Sequence, residues 1–232
     1  MTRGLGLVLI GWSDRPDVIA RIREALLPVN ARIVCRGALD GLDGPAVERL
    51  APKDDADTLI AFVPPSERGH LPDESGRKIS KTYVEARAAE LIGGLQAEGC
   101  DVTTLFCAAD FPGVTSPGLV VLPAHLVGAT VDSVLPTGRL GVLVPLAEQR
   151  EHFRERWSAP GREVVTVPLL PNADESHVAA AIAEMRSAAP TLVLMDCLDY
   201  DEEIAERVRA DCGVPVLWSF SIVAQMLREL LR

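Results

Sequence analysis

Short apolar runs alternate with segments of helical period along almost the whole chain. The runs are six to eight residues long and rich in Val, Leu and Ile, which is typical of buried strands; they lie at 5–11, 31–37, 58–63, 101–107, 119–124, 139–145, 163–170, 191–196 and 214–219. The helical segments lie at 16–27, 46–51, 80–99, 148–157, 174–188, 201–213 and 222–232, and a further short helix is expected between 124 and 139. This alternation predicts an α/β fold with a mainly parallel sheet.

Residues that favour helix starts and turns support this division. Possible caps are Ser13 or Asp14 before the helix at 16–27, and Asn172 or Asp174 before the helix at 174–188. The stretch 64–78, PPSERGHLPDESGRK, is rich in charges and helix breakers. It predicts a turn or the tip of a hairpin.

The pattern restarts near the middle of the chain. The stretch GLGLVLIGWSDRPDVIARI in the first half parallels GRLGVLVPLAEQREHFRER in the second, and each half ends with a strand that delivers a cysteine. We expect two pseudo-symmetric α/β lobes, with mainly parallel sheets flanked by helices and an active-site cleft between them. The first lobe would hold residues 1–117 plus 215–232, and the second would hold 118–214.

Charge and hydropathy exclude several classes of protein. The 232 residues carry a net charge of −10 and show no basic stripe, which disfavours binding to nucleic acid. No apolar run reaches the length of a transmembrane helix, and the apolar stretch near the N-terminus is too short for a membrane span. We therefore expect a soluble, cytoplasmic protein with no membrane partner.

The cysteines are the candidate reactive groups. There are five, dispersed and without a CxxC pair, which disfavours a zinc ribbon or a thioredoxin-type site. The four histidines show no metal-binding spacing, and no Walker loop, GxGxxG or GxSxG motif is found. We predict no metal site, and a reactive thiol is favoured over a disulfide in a cytosolic chain.

Cys107 and Cys197 both stand at predicted carboxyl ends of strands, the edge where parallel sheets bind ligands. If the lobes face each other, one thiolate could remove a proton from a carbon centre while the other thiol returns a proton to the opposite face. The alternative is that both are ordinary core cysteines. Asp196 should point away from Cys197 on the strand, and it either tunes the thiol or caps the helix that begins near Asp199.

The first strand and helix meet at Ser13-Asp14-Arg15. Backbone N–H groups at a helix start attract anions, and Arg15 could add a contact to a carboxylate. The alternative is a plain helix cap with a solvated arginine.

Several motifs in this order resemble the AroM family of the aspartate/glutamate/hydantoin racemase superfamily. They are IGWSDRPDV (10–18), RGALDGL (36–42), LAP (50–52), LFCAADFP (105–112), RLGVLVPLAEQ (139–149), LMDCLDY (194–200) and VPVLWSFSIVAQMLREL (214–230). The resemblance implies two α/β lobes, no cofactor, and one cysteine from each lobe acting on a small carboxylate.

The chain departs from the family's usual motifs at a few positions. CTGDFP becomes CAADFP, which places Ala108 and Ala109 where threonine and glycine are usual. DCMGYT becomes DCLDYD, which introduces Asp199 and Asp201, and Asp14 replaces a proline. Extra acids would repel an anionic substrate.

We therefore expect a cofactor-independent isomerase or racemase that acts on a small carboxylate-type metabolite, with Cys107 and Cys197 as the acid/base pair. The expected substrate-binding residues are Ser13, Arg15, Ala108, Ala109, Asp110, Asn172, Leu198 and Ser219. A cysteine-dependent decarboxylase and a non-catalytic small-molecule-binding or regulatory protein remain alternatives. The oligomeric state is left open, with a homo-oligomer as one option.

Overall fold

The fold was obtained as a computed structural model, which describes residues 2–61 and 76–232. The predicted turn at 64–78 lies outside the described residues except for its last three positions. The chain divides into two compact units, one formed by residues up to Ala124 together with Ala224–Arg232, and the other by His125–Val223.

The first unit is built on a parallel sheet of four strands. In chain order these are β1 (Gly4–Leu9), β2 (Arg32–Gly37), β5 (Val102–Phe106) and β6 (Leu119–Val121). They lie side by side in the order β2-β1-β5-β6, and every neighbouring pair is parallel. Strands β1 and β5 are fully buried along their length, as central strands of a covered parallel sheet must be.

Helices and a small hairpin complete the first unit. They are α1 (Pro16–Leu26), α2 (Gly44–Glu48), α3 (Lys81–Ala97) and the antiparallel pair β3 (Thr58–Ala61) and β4 (Arg77–Ser80). Helix α3 buries Val84, Ala88, Ile92 and Leu95, which recur at helical spacing and therefore form one face.

The second unit repeats this architecture. Its sheet contains β7 (Gly138–Val144), β8 (Arg162–Pro168), β9 (Leu192–Met195) and β10 (Val216–Trp218), all parallel. Its helices include α5 (Arg150–Trp157), α6 (Glu175–Ser187) and α7 (Glu202–Cys212). Helices α4 (Pro123–Val134) and α8 (Ser219–Leu230) contain the positions at which the chain passes from one unit to the other.

The two sheets share one strand order. The second sheet runs β8-β7-β9-β10 and the first runs β2-β1-β5-β6, so β7 corresponds to β1 and β9 to β5. The predicted α/β fold with two similar parallel sheets is confirmed. Strand β6 belongs to the first sheet and β10 to the second. The predicted lobe boundaries instead placed residues 118–124 in the second lobe and residues 215–219 in the first.

Some local predictions differ from the structure. Strand β4 lies where a turn and the start of a helix were predicted, and α8 begins at Ser219 instead of 222. The N-cap residue of α1 is Arg15, without a side-chain cap bond, so the cap position is held by neither Ser13 nor Asp14. Asp174 caps α6 as one of the two predicted candidates, by accepting a hydrogen bond from the His177 N–H.

In the part of the chain that the structure describes, no helix is both long and apolar enough to span a membrane.

Candidate active site

The loop after β1 is held by a carboxylate from the loop after β2. Asp40 Oδ1 accepts a hydrogen bond from the Ser13 N–H at 2.8 Å, and Asp40 Oδ2 accepts one from the Gly37 N–H at 2.7 Å. The Leu39 N–H also donates to the Gly11 carbonyl at 3.0 Å. These bonds fix Ser13 at the carboxyl edge of the first sheet, so the neighbouring ends of β1 and β2 act as one piece.

Glycine is required where these two loops meet. A Cβ atom built on Gly37 would lie 2.4 Å from the Gly11 carbonyl oxygen and 2.5 Å from the Ser13 nitrogen. Both neighbours are backbone atoms, which cannot rotate away. This close approach explains why the first glycine of the RGALDGL motif, Gly37, cannot carry a side chain.

The side chain of Arg15 is largely buried and is paired with an acid in the first turn of α1. Its Nη2 lies 2.8 Å from Asp17 Oδ2, and only 13% of its side chain is exposed. Burial opposes ionisation of Asp17, but the hydrogen bonds and charge of Arg15 outweigh burial and lower the pKa of that carboxyl. An anionic ligand at Arg15 would therefore compete with Asp17.

Cys107 follows β5 directly. It is half-buried, packs against the core of the first unit together with Ala109, and donates its backbone N–H to the Leu105 carbonyl at 2.8 Å. Ala108 is buried and Asp110 is exposed. Because the Cys107 N–H is used within the turn, the N–H groups of Ala108 and Ala109 are the candidate donors of this loop.

The segment beyond Cys107 is anchored at both ends. Phe111 is buried in the core, and the Gly113 N–H donates to Glu85 Oε1 of α3 at 2.7 Å. A Cβ on Gly113 would lie 2.9 Å from the Glu85 carboxyl carbon. The cysteine loop is thus tied to the helix that precedes its strand.

Cys197 follows β9, the strand of the second unit that corresponds to β5, with Asp196 in between, and it is also half-buried. Leu198 and Tyr200 after it are buried, and the Tyr200 hydroxyl donates to the Leu169 carbonyl at 2.6 Å. Burial, followed by the charges of Cys197 and Asp196, raises the pKa of Tyr200 well above its usual value, so the phenol stays neutral.

The acids around Cys197 have separate roles. Asp201 is the N-cap of α7 and accepts a hydrogen bond from the Ile204 N–H at 2.8 Å. Threonine, the residue that resembling proteins place here, is also a good N-cap. The exposed Asp201 therefore serves the same capping role that threonine would serve at this position.

Asp196 is buried and does not cap a helix. Its Oδ2 accepts a hydrogen bond from Trp157 Nε1 at 2.7 Å and lies 3.5 Å from Arg156 Nη1, and its Oδ1 lies 3.5 Å from the Ser219 hydroxyl oxygen. Burial raises its pKa; the charge of Arg156 and the bonds from Trp157 and Ser219 act in the opposite direction. Of the two roles predicted for Asp196, the cap is wrong.

The other predicted residues of the second unit lie at the same edge of its sheet with different exposure. Asn172 is exposed in the turn after β8. Ser219 begins α8 directly after β10 and is fully buried, with its hydroxyl directed to Asp196. Within the second unit, Asn172, Cys197 and Ser219 thus follow β8, β9 and β10, of which β9 and β10 are neighbours. Ser219 is not open to a ligand.

Sequence reasoning missed the residues that hold the loops. Asp40, Arg156 and Trp157 were not singled out, although Asp40 lies within a motif that carried the family resemblance. Asp40 lies 27 residues from Ser13, and Trp157 lies 39 residues from Asp196, and local patterns do not show such pairs.

Among residues 2–61 and 76–232, no group of three or more His, Cys, Asp or Glu side chains is arranged to hold a metal ion.

Known structures share this two-sheet architecture. A double mutant of arylmalonate decarboxylase in its liganded form matches with a TM-score of 0.59 and 12% identity, over 99% of this chain and 92% of that chain. A glutamate racemase from Francisella tularensis in complex with D-glutamate matches with a TM-score of 0.57 and 13% identity, over 99% of this chain and 81% of that chain. An aspartate racemase homologue from Pyrococcus horikoshii matches with a TM-score of 0.55 and 12% identity, over 100% and 99%.

At such identities the likeness shows the fold. None of the curated protein sequences matches this chain. A family model described as AroM protein matches residues 5–231. Because that match spans nearly the full length, this chain belongs to the AroM family.

Proposed function

We propose that this protein is a cofactor-independent isomerase or racemase. It moves a proton at the carbon next to a carboxylate or carbonyl group of a small metabolite, with Cys107 and Cys197 as the acid/base pair. The observation that carries the proposal is the equivalent position of the two thiols, since each follows the corresponding strand of two sheets with the same order. Both thiols are half-buried, a position that combines access with partial desolvation.

The proton balance of this reaction closes without a redox partner. One cysteine, as the thiolate, takes the proton from one face of the carbon, and the electron pair delocalises into the adjacent carboxyl or carbonyl group. The other cysteine, as the thiol, returns a proton to the opposite face. The charge states of the two cysteines are exchanged after one turnover, and turnover in the reverse direction restores them.

Donors for an anionic substrate remain despite the alanines. Ala108 and Ala109 lack the side-chain hydroxyl of the related motif, but their backbone N–H groups persist, and preorganised N–H groups stabilise a developing negative charge. Ser13, Arg15, Asp110, Asn172 and Leu198 supply the remaining contacts in this proposal. The small carboxylate D-glutamate, bound in the Francisella tularensis racemase structure, is the model for the substrate class.

The test is proton exchange in deuterated water with a panel of amino, hydroxy and keto acids. We expect deuterium at the α-carbon of at least one compound, and loss of that exchange in both Cys107→Ala and Cys197→Ala. Cys35→Ala is the matched control, because Cys35 is also half-buried but lies within β2 instead of after its end. This variant should retain exchange.

A decarboxylase is the second candidate, because arylmalonate decarboxylase shares the two-sheet fold over 99% of this chain. It needs a single thiol as proton donor, so one of the two cysteine variants would keep activity and carbon dioxide would be released. If a compound raises the melting temperature of the protein but undergoes neither exchange nor decarboxylation, the protein is a binding protein and the enzyme proposal fails.

A further inference from the structure

The carboxylate of Asp196, the residue directly before Cys197, is completely buried. Its backbone N–H donates to the Leu143 carbonyl of β7 at 3.1 Å. A buried charge is costly unless it is paired and hydrogen-bonded. The chain nevertheless keeps an acid at the last position before Cys197, so the position calls for a physical role.

Helix α5 is built to receive this carboxylate. The indole N–H of Trp157 donates to Oδ2 at 2.7 Å, and the guanidinium of Arg156 lies 3.5 Å from the same oxygen. Arg156 is itself held over the rings of Trp157 and Phe153, at 4.9 and 5.7 Å from their centroids. The cation is therefore fixed in place by aromatic faces beside the carboxylate.

The same carboxylate connects three elements that meet at Asp196, the residue before Cys197. It follows β9, contacts α5 through Arg156 and Trp157, and contacts the start of α8 through Ser219. The charged and titratable groups that act on it or on its neighbour Tyr200 include Arg156 and His152 of α5, and Cys197 itself. Asp196, directly before Cys197 in the chain, thus forms a largely buried pair with Arg156, and Asp196 and Cys197 both act on the pKa of Tyr200.

We propose that Asp196 is a positioning residue for Cys197, and that Arg156 balances its charge so that the Cys197 thiol can ionise. The carboxylate fixes the end of β9 through Trp157 and Ser219, and the neighbouring cation offsets the repulsion between that carboxylate and a thiolate. This inference rests on the proposed acid/base role of Cys197. It concerns the ionisation of the thiol, which is measurable without any substrate.

The test is the pH dependence of Cys197 alkylation by iodoacetamide, followed by site-resolved mass spectrometry in the full chain. Asp196→Asn keeps the shape and removes the negative charge, so alkylation of Cys197 near neutral pH should become faster by about threefold or more. Arg156→Gln removes the cation and should slow it by a similar factor. Arg156→Lys keeps the charge and should stay close to the parent.

Two exposed residues provide matched controls. Arg154→Gln removes an arginine from the same helix, where it pairs with Glu151, and Asp211→Asn removes an acid that pairs with Arg207 on α7. Neither should change the alkylation profile of Cys197. A purely structural role for Asp196 would move both test variants in the same direction, because loosening the strand end exposes the thiol regardless of the sign of the charge removed.

The inference is overturned if Arg156→Gln leaves the alkylation profile unchanged, or if both test variants accelerate alkylation. Where Asp196→Asn fails to fold, the comparison of Arg156→Gln with Arg156→Lys remains decisive, because both variants keep the bonds from Trp157 and Ser219 to Asp196. The two outcomes are separable. If the variants change Cys197 alkylation as expected but the protein catalyses no proton exchange, the proposed function is rejected and the roles of Asp196 and Arg156 stand.

Discussion

Gly37 shows how one residue without a side chain sets the geometry of a candidate site. Its Cα faces the Gly11 carbonyl and the Ser13 N–H, and its own N–H donates to Asp40. Any side chain here would separate the loop after β1 from the end of β2. The steric requirement thus comes from close packing of backbone against backbone at a strand end.

Replacing Gly37 by alanine should therefore destabilise the protein. We expect a loss of about 1–3 kcal/mol in the free energy of unfolding, because the added methyl group must displace backbone atoms. Urea denaturation followed by circular dichroism measures this difference. The reference is Gly93→Ala in α3, where a Cβ meets nothing within 4 Å, and where the change should stabilise by about 0.5–1 kcal/mol. Equal effects of the two substitutions would contradict the steric explanation.

At the scale of single elements, the start of α3 depends on a buried acid from another segment. Asp57 Oδ1 accepts hydrogen bonds from the Thr82 N–H at 2.9 Å, the Thr82 hydroxyl at 2.9 Å and the Ser80 hydroxyl at 3.1 Å, and Oδ2 accepts one from the Lys53 N–H at 3.1 Å. Burial acts to raise the pKa of Asp57, but these bonds outweigh burial and lower it to about 2.

The folded-state pKa of Asp57 lies below its ordinary value of 3.8, so its stabilisation is present above about pH 4 and is lost as the pH falls towards 2. Asp57→Asn should cost about 1–3 kcal/mol at pH 7. The difference from the parent protein should shrink on acidification, which denaturant titrations at several pH values can follow. Asp55→Asn, at an exposed neighbouring position, is the control and should leave the free energy of unfolding at pH 7 nearly unchanged.

The predicted elements were found where the sequence pattern was strong. Buried strands such as β7 and β9 are continuous apolar runs, and their prediction needs no long-range information. Strand β4, with the sequence RKIS, lacks that pattern because it forms a small hairpin with β3 instead of joining a covered sheet. Its pairing partner decides its conformation, and a local pattern cannot reveal that partner.

For the whole molecule, the repeated strand order gives the cysteines distinct environments. Cys107 and Cys197 follow β5 and β9 and are half-buried, Cys35 lies within β2, and Cys100 and Cys212 are buried. Burial, followed by the charge of Asp40, raises the pKa of Cys35 to about 12. Burial also raises the pKa values of Cys100 and Cys212.

These environments predict an order of thiol reactivity. With an aromatic disulfide reagent at neutral pH, Cys107 and Cys197 should react first in the native protein, and Cys35 should follow more slowly because little of it is thiolate. Cys100 and Cys212 should react only as the protein opens, and all five should react after unfolding. Peptide mass spectrometry at timed quenches resolves the sites. Reaction of Cys35 ahead of Cys107 would contradict the assignment.

The sequence predicted the two sheets and the positions of both cysteines after their strands, since each depends on the apolar pattern alone. It did not predict how the loops are held, because Ser13 meets Asp40 and Trp157 meets Asp196 across long stretches of chain. Sequence reasoning treated Asp201 as an extra acid that would repel an anionic substrate, and the hydrogen bond that Asp201 accepts from the Ile204 N–H accounts for it as a helix cap.

The double use of Asp40 has a consequence for altering this protein by mutation. One carboxylate serves the loop after β1 with one oxygen and the end of β2 with the other, so neither loop can be varied independently. Libraries that randomise positions around Ser13 alone will mostly sample sequences still constrained by Asp40. A change of ligand preference in this part of the chain therefore requires paired substitutions. A substitution at position 40 should be accompanied by a compensating substitution in the loop after β1.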